Sequence, residues 1–383
     1  MSQLLPIELQ LLLACARVTI DADQRKHIQR LIAADPDWEL LVRTAQRHGL
    51  YLLLHRSLCV VDQDCVPSAI IEKLAILSSN YRRRNLVLVA ELLRVVTKLQ
   101  NAEIGVIPYK GPALAQYVYR DFVLREFVDL DILVKPGDAV KARRVLMTAG
   151  LPPARSVSRL AEQLLRYFHC EFTFFLLSEV RLEVNWRQAP AYWLLPRIDD
   201  KVWERLGSLR LAGADIASLD PVDLLIVLCI HGCKHIWDTL KWLVDVAELV
   251  RGHPELDWEA LHSRAHELGA EIMLEIGLVL AHDLLQAPVP ANVLKIARQR
   301  PRTLTLVSEI RERGFAENTA PSRTFQELPF LARAAQKPGA KVMPYFVMLP
   351  YLVMHHFVRP AGAQLAKITG GLGQKRIGAT KKN

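Results

Sequence analysis

The sequence predicts an α+β protein: a small mixed-sheet core flanked by N- and C-terminal helical regions. Three observations carry this. Apolar residues recur at spacings of three and four through the first hundred positions, the period of a helix with one buried face. Between residues 101 and 219 the texture changes to short alternating runs separated by Gly and Pro, which is the signature of strands and turns. From Asp220 the helical period returns. An α/β island between helical stretches implies a compact core with accessory helices. The expected divisions are a helical region at 1–100, the α/β core at 101–219, a second helical region at 220–335, and an apolar segment with a basic flexible tail at 336–383.

In chain order, Asp37 opens a helix over WELLVRTAQRHGL that Gly49 stops. Pro67 to Gln100 reads as one long helix, with Arg82, Arg83 and Arg84 on an expected solvated face. Ile104–Tyr109 is a short β-type run ending at Lys110-Gly111, followed by a helix over ALAQYVY. Phe127–Val134 (FVDLDILV) alternates strictly and reads as a strand. Asp138 starts a helix over DAVKARRVLMTAG, closed by Gly150. Glu171–Leu177 and Val180–Trp186 are two further strands around a tight turn at Ser178-Glu179, and SLRLAG and ADIASL are shorter β pieces. Asp220-Pro221-Val222-Asp223 combines an N-cap acid, Pro at the first helical position and an acid in the first turn. Helices over LLIVLCIHGCKH, TLKWLVDVAELV and WEALHSRAHELG follow.

Composition narrows the class. The chain has 383 residues, 51% hydrophobic and 23% charged, a globular balance that excludes a disordered chain. Its net charge of +9 suits a polyanionic partner: a nucleotide, an acidic membrane surface or, as a lesser option, nucleic acid. The six cysteines are scattered without CxxC spacing and read as reduced core residues, hence a cytoplasmic protein. The N-terminal run has no basic segment and is interrupted by Glu8 and Gln10, so a secretory signal is not expected. Residues 342–358 are apolar but broken by Pro344 and Pro350, which favours a buried or interfacial helix pair over a membrane span. With the basic tail, this segment suggests peripheral membrane contact.

The chemistry concentrates at Asp129-Leu130-Asp131. Side chains alternate along a strand, so the two aspartates share a face. Aspartate is disfavoured in strands, and two on one face repel unless a cation lies between them. Such oxygen ligands suit Mg²⁺ with a phosphate-bearing substrate; a solvated acidic edge is the competing explanation. Upstream, Gly111 allows a sharp turn into a helix whose free N–H groups and Lys110 favour phosphate. Arg125 lies between these elements and suits a nucleotide, against a structural ion pair to Asp121 or Glu126. Glu183, on the polar face of RLEVNW, would be a third carboxylate. His231 and His235 lie four apart on one helix face, with Asp245 on the next helix. They could be metal ligands or contact the substrate from a helical lid, although a packed interface is favoured. With His282-Asp283 they also permit a phosphohydrolase reading, which the residue order disfavours. Trp186, Trp193, Trp203, Trp237 and Trp242 read as core.

The segments YKGPALAQYVYRDFVLREFVDLDILV, LEVNW, LDPVDLLIVLCIHGCKH and LKWLVDVAELV, in this order, resemble a bacterial family of uncharacterised nucleotidyltransferases within the polymerase-β-like superfamily. The resemblance spans roughly residues 35–265. It implies that Lys110 and Gly111 stand at the phosphate-contacting turn, that Asp129 and Asp131 are paired metal ligands, and that Glu183 is the third acid. It implies transfer of an NMP group from an NTP to an unknown acceptor, with two Mg²⁺ ions about 3.5–4 Å apart. Two departures are visible: Pro112 follows Gly111 where a Ser is usual, and Asn185 stands where His is frequent. The alternative is a degenerate member of that fold that binds a nucleotide or a partner protein without turnover.

Overall fold

The computed structural model describes residues 5–61, 65–154, 162, 169–176, 180–187, 195–313, 315 and 324–335. The expected α+β architecture is present. Five helices come first: α1 (Ile7–Cys15), α2 (Ala22–Ile32), α3 (Trp38–Arg47), α4 (Tyr51–Val60) and the long α5 (Ser68–Asn101). The core follows with β1 (Val106–Pro108), α6 (Gly111–Tyr119), β2 (Asp129–Val134), α7 (Ala139–Thr148), β3 (Glu171–Phe175) and β4 (Arg181–Asn185). A hairpin, β5 (Gly207–Leu211) and β6 (Ala214–Ser218), precedes α8 (Pro221–Lys234), α9 (Leu240–Gly252), α10 (Trp258–Leu268), α11 (Glu271–Leu285), α12 (Ala291–Gln299), α13 (Pro301–Arg313) and α14 (Thr324–Ala334). The Ser178-Glu179 turn, Trp193, the 342–358 segment and the basic tail lie outside the described residues. Among the described residues no helix is long and apolar enough to cross a membrane.

Caps expected from sequence form: Asp37 accepts the Leu40 N–H, and Asp220 accepts the Val222 N–H. All six cysteines are free, but Cys59 and Cys65 are exposed while the other four are buried. Trp237 and Trp186 are core residues as expected; Trp203 and Trp242 are only partly buried.

The four-stranded sheet has the order β1-β2-β4-β3. β1 and β3 run antiparallel to their neighbours, whereas β2 and β4 are parallel, which makes the sheet mixed. Its two faces belong to different apolar clusters. Leu130, Ile132, Val134, Leu182, Val184, Phe172 and Phe174 pack on one side with Leu88, Leu92, Val96 and Leu99 of α5 and Leu146 of α7. Ile107, Tyr109 and Leu133, on the opposite face by alternation, join a second cluster with α8 and α9. One side of the sheet is therefore sealed, and the other is apolar only toward β1.

Two devices hold β2 in place. The first comes from α5. The Tyr81 hydroxyl accepts the Phe127 N–H at 2.7 Å and donates to the Phe127 carbonyl. Arg84 donates to the carbonyls of Phe127 at 3.1 Å and Val128 at 3.4 Å. Arg84 is thus a clamp on the residues just before Asp129, a correction to the solvated face expected for Arg82–Arg84. The second device is the Arg125–Asp245 pair. Arg125 Nε and Nη2 meet the two oxygens of Asp245 at 2.7 and 2.8 Å, and Tyr119 donates to the same carboxylate at 2.8 Å. Both charged groups are buried. The pair ties the α6–β2 connection to α9, and burial's opposition to the Arg125 charge is outweighed by Asp245.

Truncating one member of a buried ion pair leaves the other charge without a partner. Arg125→Ala and Asp245→Ala should each cost about 3–5 kcal/mol of unfolding free energy, while the double replacement Arg125→Met/Asp245→Leu should cost much less. Urea unfolding of the three variants checks this. Single-variant losses below about 1 kcal/mol would mean that solvent reaches the pair.

Candidate active site

The parallel pairing of β2 and β4 sets Asp131 opposite Glu183, Asp129 opposite Arg181, and Leu133 opposite Asn185. β3 adds Thr173 opposite Glu183 and Glu171 opposite Asn185. Because alternate side chains share a face and adjacent strands lie about 4.8 Å apart, Asp129, Asp131, Glu183 and Glu171 form one acidic group on the face away from α5. Asp131 is almost fully buried. The Asp129 and Glu183 side chains keep 28% and 17% exposure, so both reach solvent.

Three basic or amide groups surround these acids. Lys110 Nζ lies 3.1 Å from Asp131 Oδ1 and over the Tyr109 ring. Asn185 Nδ2 lies 3.4 Å from the same oxygen. The exposed Arg181 guanidinium is 3.7 Å from Asp129 and 4.0 Å from Glu183. This positive charge does not neutralise the group. Burial, then Asp131, Glu171 and Asp129, push the Glu183 carboxyl up to about 8. Burial and Asp131 likewise raise Asp129. Burial opposes the charge of Lys110, but Asp131, Tyr109, Glu183 and Asp129 overcome it and hold Lys110 firmly protonated.

The turn that delivers Lys110 depends on glycine. Gly111 has φ +57, and a Cβ there would approach the Asp129 carbonyl oxygen to 3.1 Å. Gly111 thereby lets the start of α6 lie directly against the backbone of β2. Lys110 is the N-cap residue of α6, with Pro within its first two positions.

The sequence brings forward Lys110, Gly111, Asp129, Asp131 and Glu183, and these meet at one end of the sheet. Arg125 differs. Its fork is engaged by Asp245 rather than by Asp121 or Glu126, and Nη1 donates to the Glu126 carbonyl at 3.3 Å. Both oxygens of Asp245 are engaged in that pair. Asp283 is paired with Arg298 and Arg311. His231 and His235 do face each other, with ring centroids 5.0 Å apart, and both contact Trp242. Burial and the Lys110 charge lower His231 well below the usual imidazole range; burial and Lys234 push His235 down to about 3. Both rings are neutral at physiological pH. Glu171, Asn185 and Lys241 are close to the acids, and the sequence had not marked them as site residues. The charge of Lys241 acts on Asp129. Its one sequence signal was an exposed-type residue at the start of an apolar helix.

The donor set suits a hard divalent cation. Every candidate ligand is a carboxylate oxygen, and the raised Glu183 and Asp129 mark a site short of positive charge. Among the described residues no three His, Cys, Asp or Glu side chains are already gathered as a metal cage. Magnesium does not require one, because it retains waters and takes one or two carboxylates together with substrate phosphates.

Residues 34–286, more than half of the chain, match the profile of a family described as uncharacterised nucleotidyltransferase. No curated protein matches the chain significantly.

The raised Glu183 makes folding pH-dependent. Its ordinary carboxyl value is 4.5 against about 8 in the folded chain. The unfolded chain releases this proton first, so the contribution is fully present below about pH 4.5 and is lost as pH rises through 8. Without added metal, the melting temperature should fall across this window, and Glu183→Gln should flatten the decline. An unchanged slope in Glu183→Gln would assign the titration elsewhere.

Proposed function

The chain belongs to the uncharacterised nucleotidyltransferase family, and we propose that it transfers an NMP group from a nucleoside triphosphate to an acceptor by polymerase-β-like, magnesium-dependent chemistry. The acceptor would be a small molecule, a peptide or a protein side chain. The observation that carries this reading is the parallel register that sets Asp131 beside Glu183, with Asp129 two residues away on the same face and Lys110 above them.

In this reading Asp129, Asp131 and Glu183 would hold the magnesium ions, with Glu183 in its ionised form. Bound magnesium would screen the triphosphate and lower the pKa of the attacking acceptor oxygen. Asn185 keeps the Asp131 carboxylate oriented through its Nδ2. Lys110, beside Asp131 at the start of α6, would turn its ammonium to the phosphate oxygens and stabilise the charge that develops as pyrophosphate leaves. Arg125 acts indirectly, by holding α9 beside the sheet. The Gly111 turn brings the N-terminus of α6 to the same end of the cleft, but Pro112 contributes no N–H there, so Lys110 carries most of the phosphate contact. That missing donor is also what favours the second reading, nucleotide binding without turnover.

Asp129→Asn and Asp131→Asn test the first reading against the second. Each keeps side-chain size and removes a metal-holding charge. Magnesium-dependent pyrophosphate release, assayed with each NTP and a cell extract as acceptor source, should fall by at least about a hundredfold in both variants. Without metal the Asp129→Asn melting temperature should hold or rise, since a repulsion is relieved, whereas Asp131→Asn also removes the charged partner of Lys110 and should fall. Added Mg²⁺ should raise the wild-type melting temperature more at pH 8 than at pH 5, because it binds the ionised carboxylates. Release at the wild-type rate in both variants would remove these aspartates from the mechanism. No release from the wild type with any NTP would leave the binding reading.

A further inference from the structure

Groups on α8 and α9 lie near the acids, as the influence of Lys241 on Asp129 and of Lys110 on His231 shows, and two features of these helices are unexplained by transfer chemistry. The first is Lys241. Its side chain is largely buried: an added Cβ at Gly49 would come within 2.9 Å of its Cδ. Burial and the nearby Arg125 lower its pKa, against the pull of Glu126, Asp245 and Asp129. Yet among the described residues its ammonium makes neither a hydrogen bond nor an ion pair. A partly desolvated cation without a hydrogen-bonded partner is costly; of the acids that act on it, Glu126 comes first, then Asp245, which is engaged by Arg125, then Asp129. The second feature is the ring group of His231, His235 and Trp242. The indole lies 5.0 Å from His231 at 76° and 5.1 Å from His235 at 35°. All three rings are only partly buried, so they present aromatic surface beside a cleft that is otherwise charged. The two imidazoles are uncharged, which leaves this patch apolar at neutral pH.

We propose that α8 and α9 form the nucleotide-recognition wall: Lys241 takes a phosphate, and Trp242, backed by His231 and His235, stacks on the nucleobase. The proposal rests on the nucleotide reading above and adds which groups select the ligand. Lys241 and Trp242 are successive residues in the first turn of α9, and Thr239, its N-cap residue, makes no side-chain cap. The ammonium thus sits at the positive end of the helix, near Asp129, where the phosphates would lie against the metal ligands. The adjacent rings are then one sugar's reach from the phosphates. The imidazoles serve as uncharged packing for the indole. They have no role as metal ligands or as a general base, and His235 at about 3 is too weak a base for neutral pH. This assigns Trp242 to the ligand, although its spacing in the sequence reads as core.

Calorimetric titration of the full chain with ATP and with inorganic tripolyphosphate, each with Mg²⁺, separates the two parts. Lys241→Gln should weaken both ligands, by about tenfold or more, as expected for loss of a charged hydrogen bond. Trp242→Leu should weaken ATP by about tenfold and leave tripolyphosphate unchanged, since base stacking is the only interaction removed. Trp242→Phe, which keeps an aromatic face, should retain most of the ATP affinity, and His235→Phe should do the same. Melting curves identify variants that lose the fold. The proposal is overturned if the wild type binds ATP no more tightly than tripolyphosphate, if it binds neither, or if Trp242→Leu and Trp242→Phe weaken both ligands equally. It is also overturned if His235→Phe abolishes binding in a folded protein, which would make the imidazole a ligand. If this pattern appears but the wild type releases no pyrophosphate, the transfer reading fails and the recognition wall stands.

Discussion

The structure depends on an electrostatic conflict: several carboxylates share one face of a short sheet, and the folded chain supplies too little positive charge to balance them. Asp131 is buried and has Lys110 and Asn185; Asp129 and Glu183 have only the exposed Arg181 and the longer reach of Lys110 and Lys241. The imbalance appears in Glu183, which holds its proton to about pH 8. A fold under selection for stability alone would not retain this arrangement, because a neutral residue at 183 would remove the repulsion. Under the proposed function the site becomes balanced when cations and a phosphate-bearing ligand arrive together.

Keeping like charges together requires the rest of the molecule to hold β2 and β4 rigidly. The opposite face of the sheet does most of this. Leu130, Ile132, Leu182 and Val184 are fully buried against α5 and α7, so neither strand can rotate or slip without exposing its apolar side chains. α5 adds a second constraint through Tyr81 and Arg84, which grip the backbone of Phe127 and Val128 immediately ahead of Asp129. Gly111 supplies the third, since its missing Cβ allows α6 to begin in contact with the Asp129 carbonyl.

The C-terminal helices are joined to this core by charge as well as by packing. Asp245 receives both Arg125 and Tyr119 without exposure to solvent. A buried pair of this kind contributes little net stability compared with apolar groups of similar size, but it tolerates few alternative geometries. Here it sets the position of α9 relative to the acids, and with it Lys241 and Trp242. His48 reinforces the same placement: its Nδ1 accepts the N–H of Leu240, the first residue of α9, and its Nε2 meets the Phe315 carbonyl. Lys241 and the His231, His235 and Trp242 rings thereby lie on helices close to the acidic face of the sheet.

Much of this was legible locally. The two-residue alternation of DLDILV places Asp129 and Asp131 on one face whatever the sheet around them. The Lys110-Gly111 turn, the Asp220-Pro221 helix start and the uninterrupted 68–101 helix follow from backbone preferences and periodicity, which act within a few residues. The functional class was legible too, because the spacing of several such segments resembles one family. What the sequence could not determine is every feature that joins distant segments. The parallel pairing that sets Asp131 beside Glu183 is decided by how the opposite face packs on α5. Arg125, suited by residue type to a phosphate, is captured instead by an aspartate 120 residues away, because burial makes an unpaired guanidinium untenable. Trp242 reads as a core tryptophan and Lys241 carries no site signal in the sequence; their place near the acids depends on how α9 packs, which the Arg125–Asp245 pair and His48 help to set. Periodicity specifies which face of an element is apolar; which charges then face each other depends on long-range packing, and that information exists only in the folded chain.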